Sequence, residues 1–137
     1  MKKYFLSLIF SFLFCFAEIA TAQVIVFVSS SMPKNLLEQY SIQAKKYDAL
    51  IVMRGLKNNS FQDSMEFILD TNKDLQIQIN EEFFENFAVT IVPSIVLVTT
   101  KGFDKVVGSL SIQAALELMA KQGELSIEAQ KILEEKK

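Results

Sequence analysis

The chain has 137 residues, 14 basic and 16 acidic side chains, no histidine and a single cysteine, Cys15. It shows no basic patch and no aromatic–basic stripe, which argues against nucleic acid as its main partner. Without histidine or a second cysteine it lacks the usual metal ligands and any thiol pair, so no cofactor, no metal and no catalytic residue are expected.

Lys2-Lys3 and the apolar run from Tyr4 to Phe16 have the order of a secretory signal peptide. Ala20-Thr21-Ala22 supplies the small residues a signal peptidase reads, so cleavage is expected between Ala22 and Gln23, with residues 1–22 as the signal. The run falls short of the roughly 20 apolar residues of a membrane-spanning helix, so no stable membrane insertion is expected after cleavage. Bulky Phe14 before Cys15 disfavours lipoprotein processing. The remainder, from Gln23 onward, is long enough for one core and too short for two.

Val24–Val28 is a continuous β-branched and aromatic run, the pattern of a strand buried on both faces. Ser29-Ser30-Ser31-Met32-Pro33-Lys34 follows, with Pro33 in the first turn of a helix and Ser31 as its cap. Leu36, Leu37, Tyr40, Ala44 and Tyr47 mark the buried face of that helix. Asp48 turns the chain into a second buried strand, Ala49–Met53, which ends at Arg54-Gly55, where Gly55 supplies a positive φ. Ser60 with Asp63 resembles a capping box, opening a helix lined by Phe61, Met65, Ile68 and Leu69.

Leu75, Ile77 and Ile79 alternate with glutamines, predicting a short strand exposed on one side. Asn80 caps a short helix to Phe87, whose Glu81, Glu82 and Glu85 form a solvated face and whose Phe83, Phe84 and Phe87 point to a core. Pro93 precedes a third strand, Ser94–Thr99, and Thr100-Lys101-Gly102 turns it into an antiparallel partner, Phe103–Val107. Gly108 ends that strand. Ile112, Ala115, Leu116 and Met119 define a helix closed by Gly123, and residues 124–137 form a further helical tail that either packs back or docks a partner.

The order is βαβ, then α, then ββα, in one α/β domain over residues 23–123. A strand, a Pro-containing helix start and a later Val-Pro before a strand resemble the thioredoxin-like arrangement. Where redox members of that fold carry C-x-x-C, this chain has Ser31-Met32-Pro33-Lys34. Thiol–disulfide exchange needs an attacking thiolate, so that reaction is not expected. Ser31 as a nucleophile would need a base, and Lys34 three residues on is a poor one.

Val26-Phe27-Val28-Ser29-Ser30-Ser31-Met32-Pro33, Val52-Met53-Arg54-Gly55-Leu56 with Asn59-Ser60-Phe61, and the stretch from Phe84 to Pro93 carry a more specific likeness. Together they resemble the TrbC-type pilin assembly proteins of F-type conjugative transfer systems, over roughly Val24 to Gly123. One departure is Asn80-Glu81, where that family often has Asp-Pro; a helix cap is retained. The resemblance implies an exported, non-enzymatic component of a type IV secretion machine, acting in the periplasm in pilus assembly with a TraW-like partner. A general periplasmic chaperone or peptide-binding domain of the same fold is the alternative.

The binding surface that follows from this resemblance comprises Ser31, Met32, Pro33, Lys34, Arg54, Val92 and Pro93, with a cis Val92–Pro93 bond that leaves nearby backbone free for an extended peptide. Met32 either faces a partner or turns into the core. Arg54 either serves a ligand at the strand end or holds loop carbonyls or a carboxylate such as Asp63 or Asp70.

Overall fold

The computed structural model describes residues 21–55, 62, 63, 66 and 77–137. The core of the expected signal peptide, the Ser60 cap with Phe61, Met65, Ile68 and Leu69, and also Asp70 and Leu75 lie outside these residues.

Strand β1 (Gln23–Val28) pairs in parallel with β2 (Leu50–Met53), and β2 in parallel with β3 (Ile77–Ile79). Helix α1 (Lys34–Tyr47) makes the crossover between β1 and β2. On the other side of β1 lie β4 (Ser94–Thr99) and β5 (Gly102–Val107), each antiparallel to its neighbour. The sheet order is therefore β3-β2-β1-β4-β5. Helix α2 (Glu81–Asn86) precedes β4, and α3 (Ile112–Gln122) and α4 (Ser126–Glu135) complete the described elements.

The unbroken apolar strands follow from cover on both faces. Successive side chains of a strand point to opposite sides. Val24, Val26 and Val28 join Ile51, Met53, Ile95 and Leu97 in the cluster that α1, α3 and α4 cover. Ile25 and Phe27 join Val52 and Val96 on the other face, beneath Phe84 and Val89. Phe84 meets Phe27 edge-on with ring centroids 4.9 Å apart, while Phe83 and Phe87 are half-buried against the same cluster. Each such side chain contributes about 1.5–3 kcal/mol by leaving water, so β1, the central strand, anchors both cores at once.

The start of α1 corrects one expectation. Ser31 does not cap the helix; Pro33 is the cap residue, at φ −55° and ψ 138°, and its carbonyl accepts from the Leu36 and Leu37 amides. The reason is local. Met32 donates its amide to the Ser29 carbonyl at 3.1 Å, and the Ser31 hydroxyl lies 2.8 Å from that of Ser29, closing a turn ahead of the helix. A residue before proline is also driven away from helical ψ, so the helix waits until Pro33 has passed.

The other ends are closed as their residue types suggest. Asp48 ends α1 in the left-handed conformation, Asn80 Oδ1 accepts from the Phe83 amide at 3.3 Å, and Ser111 Oγ accepts from the Ala114 amide at 3.0 Å. Two long-range bonds then tie α1 to α3: Tyr40 donates to the Leu110 carbonyl at 2.8 Å, and Ile112 donates to Gln43 Oε1 at 2.7 Å. The tail packs back. Leu125 and Ala129 are buried in the larger cluster, and Lys136 Nζ reaches Asp48 Oδ2 at 2.8 Å.

Candidate functional site

Register brings the sequence-predicted segments to one end of the sheet. Val28 is paired with Met53 and Phe27 with Ser94, so the Ser29–Lys34 segment, Arg54 and the Val92-Pro93 loop all leave the strands at the same edge. In parallel α/β sheets the carboxyl ends of the strands are where ligands are received.

The individual positions differ from one another. Ser31, Pro33 and Lys34 are exposed, whereas Met32 is half-buried against the larger core, and its sulfur accepts from the Ser29 amide at 3.4 Å. Met32 thus serves the core and the surface together. The Val92–Pro93 bond is cis. Pro93 itself is buried and Val92 half-buried, and the Pro93 carbonyl accepts from the Gly108 amide at 2.9 Å. The loop therefore presents Ile91, 62% exposed, and not the proline ring. Among the described residues, no hydrogen bond engages the backbone of Val92. Its amide and carbonyl are thus without a hydrogen-bond partner among the described residues.

Arg54 follows β2 and turns toward α2. Its Nε donates to Glu81 Oε1 at 2.9 Å, and its guanidinium carbon lies 5.5 Å from the Phe84 ring centroid. Both side chains of the pair are 53% exposed, so the ion pair contributes at most about 1 kcal/mol and mainly orients the guanidinium. Glu81 is thus no free member of a solvated face. Gly55 has the positive φ expected, 61°.

Three features were missed by sequence reasoning: Ile91 as the exposed residue of the proline loop, Glu81 as a carboxylate for Arg54, and Lys105. Lys105 Nζ donates to the Phe87 and Ala88 carbonyls at 3.3 and 2.7 Å, closing the carboxyl end of α2. A lysine in an alternating strand gives no signal of that kind; the partner is 17 residues away in the nearer case. Among the described residues, no group of three or more metal-ligating side chains comes together, and no helix is long and apolar enough to cross a membrane.

A β-α-β crossover, an antiparallel hairpin on the far side of the first strand, and a cis-proline at the same sheet end as the first helix start define a thioredoxin-like domain that carries Ser31-Met32-Pro33-Lys34 in place of a thiol pair. The structure superposes on the N-terminal domain of PilB from Neisseria gonorrhoeae with a TM-score of 0.56 at 19% identity, covering 78% of this chain and 81% of that one. It superposes on StoA from Bacillus subtilis with a TM-score of 0.52 at 18% identity, covering 72% and 82%. At such identities the likeness establishes the fold alone. The family profile described as type-F conjugative transfer system pilin assembly protein matches residues 26–130, and the chain belongs to that family. It is also similar to the protein named Periplasmic protein TrbC of Escherichia coli K12, 29% identical over 101 residues that make up 72% of this chain. The aligned part spans about half, 48%, of that relative's length.

Proposed function

We propose that this protein is an exported assembly factor for F-type conjugative pili that acts in the periplasm by binding a TraW-like partner, without catalysing a reaction. Family membership supports the assembly role, and the similarity to the Periplasmic protein TrbC of Escherichia coli supports the periplasm. The observation that carries the binding mechanism is the sheet end itself. The unengaged Val92 backbone and exposed Ile91 lie at the strand ends shared with Ser31–Lys34 and the oriented Arg54 guanidinium. An extended partner segment could pair with the backbone, and a preformed surface keeps the ordering cost of binding low. The only cysteine in the sequence is Cys15, within the expected signal, which supports binding over thiol chemistry.

Crosslinked affinity purification from the native envelope, followed by mass spectrometry, tests this reading. One dominant transfer-system partner is expected. Arg54→Ala and Ile91→Asp should each lower its recovery about tenfold, a loss of about 1.4 kcal/mol, with the melting temperature unchanged. A diffuse set of unrelated envelope proteins would favour the chaperone reading. A fall in melting temperature matching the loss of binding would return both residues to a structural role.

A further inference from the structure

Residues 23–137 contain no cysteine, so the thioethers of Met32, Met53, Met65 and Met119 are the only sulfur atoms there. Met53 and Met119 lie in the core, 1% and 2% exposed. Met65 is outside the described residues. Met32 is half-buried, in the segment that joins β1 to α1. Among the described methionines it alone has more than marginal contact with solvent.

The Met32 sulfur also takes part in closing the turn ahead of α1. Ser29 and Met32 exchange two hydrogen bonds: the Met32 amide donates to the Ser29 carbonyl at 3.1 Å, and the Ser29 amide donates to Met32 Sδ at 3.4 Å. The Ser31 amide donates to Ser29 Oγ at 3.3 Å, and the two serine hydroxyls lie 2.8 Å apart. The same Met32 side chain packs against the larger core. One thioether thus ties this segment to its own backbone and to the interior. A thioether is apolar and a weak acceptor, whereas a sulfoxide is polar. A sulfinyl oxygen left against the core without a partner is costly, so it turns toward water. That movement gives up the core contact and the bond from the Ser29 amide.

We propose that Met32 is a selective oxidation site. A hydroperoxide converts it to the sulfoxide ahead of Met53 and Met119, which opens the Ser29–Met32 turn and lowers partner binding at the sheet end. The step is a two-electron oxygen transfer. A sulfur lone pair attacks the distal peroxide oxygen, an S–O bond forms and the O–O bond breaks. The sulfur is oxidised, the hydroperoxide is reduced to an alcohol (water, for hydrogen peroxide), and the distal oxygen's proton passes to the departing oxygen. The effect on binding rests on the sheet end being the partner surface; the oxidation and the opening of the turn do not.

Graded hydrogen peroxide, applied to the protein purified from its host's envelope and followed by peptide mass spectrometry, tests the site. The Met32 peptide should gain one oxygen about tenfold faster than the Met53 and Met119 peptides. Hydrogen exchange should quicken at the Ser29 and Met32 amides and stay unchanged along β4, with a cooperative melt retained. Recovery of the crosslinked envelope partner should fall about tenfold and return on treatment with methionine sulfoxide reductases and dithiothreitol. Recovery with Met32→Leu should be the same with and without peroxide, which also excludes Met65 as the cause. Equal oxidation rates at the three methionines, unchanged exchange at Ser29 and Met32, or loss of the cooperative melt would each overturn the proposal. Undiminished recovery with oxidised Met32 would overturn its effect on binding and leave the assembly reading standing. Failure of the untreated protein to recover any partner would overturn the sheet-end reading, and the effect on binding with it.

Discussion

A Cβ added at Gly123 would collide with the Asp104 carboxylate and stand 2.6 Å from the Met119 carbonyl oxygen. The crowding has a purpose: Asp104 accepts from the amides of Glu124 and Leu125 at 3.1 and 2.9 Å, holding the link between α3 and α4. Gly123→Ala should therefore cost about 1–3 kcal/mol, read as a lower urea midpoint. An unchanged midpoint would mean the link shifts without consequence. Sequence reasoning saw this glycine as a helix stop, which it is, and missed the carboxylate above it. The same limit applies at Arg54, whose partner Glu81 lies 27 residues away. At Ser31 the error was of another kind, since a serine two residues before a proline has a competing local partner in Ser29.

At the scale of elements, every strand and helix expected within the described residues is present, with bounds shifted by a residue or so. Their apolar periods are local properties, and the turn residues between them are too. What α4 does was open in the sequence, because an amphipathic stripe is the same whether it meets its own domain or another protein. The burial of Leu125 and Ala129 decides it, as does the bond from Lys136 to Asp48. Leu125→Ala should cost about 2–5 kcal/mol, whereas Ile127→Ala, at a position 80% exposed, should stay within about 0.5 kcal/mol. Thermal melts of the two variants check this, and a neutral Leu125→Ala would detach α4 from the cooperative unit.

Across the whole molecule, three titrating groups report on packing between distant elements. Burial raises the pKa of Tyr40, and burial together with the Glu117 charge raises that of Tyr47. The hydrogen bond and charge of Asp48 raise that of Lys136. Each folded value lies above its unfolded one, so the folded state holds these protons more tightly. Their contribution is complete below the ordinary values of about 10 and is lost as pH rises through the raised ones. Melting temperature should stay level from about pH 7 to 9 with respect to these groups and fall beyond about pH 10. Tyr40→Phe should remove part of that alkaline fall while costing about 1 kcal/mol at neutral pH for the lost bond to Leu110. An alkaline fall of unchanged size in that variant would exclude Tyr40 as a cause.

The sequence by itself determined the α/β class, the strand–helix order and the replacement of a thiol pair by Ser31-Met32-Pro33-Lys34. Periodicity, capping and turn chemistry are written in neighbouring residues. The tertiary structure decided which ends of the strands meet, and therefore that the Ser29–Lys34 segment, Arg54 and the Val92-Pro93 loop share one edge. It also decided that Ile91 rather than Pro93 faces outward, and that β5 is an edge with Lys105 at its middle. These are matters of register and packing between residues far apart in the chain, such as Tyr40 and Leu110 at a separation of 70 or Asp48 and Lys136 at 88. No local pattern encodes such a pairing, because it arises only when both faces of the sheet are covered at once.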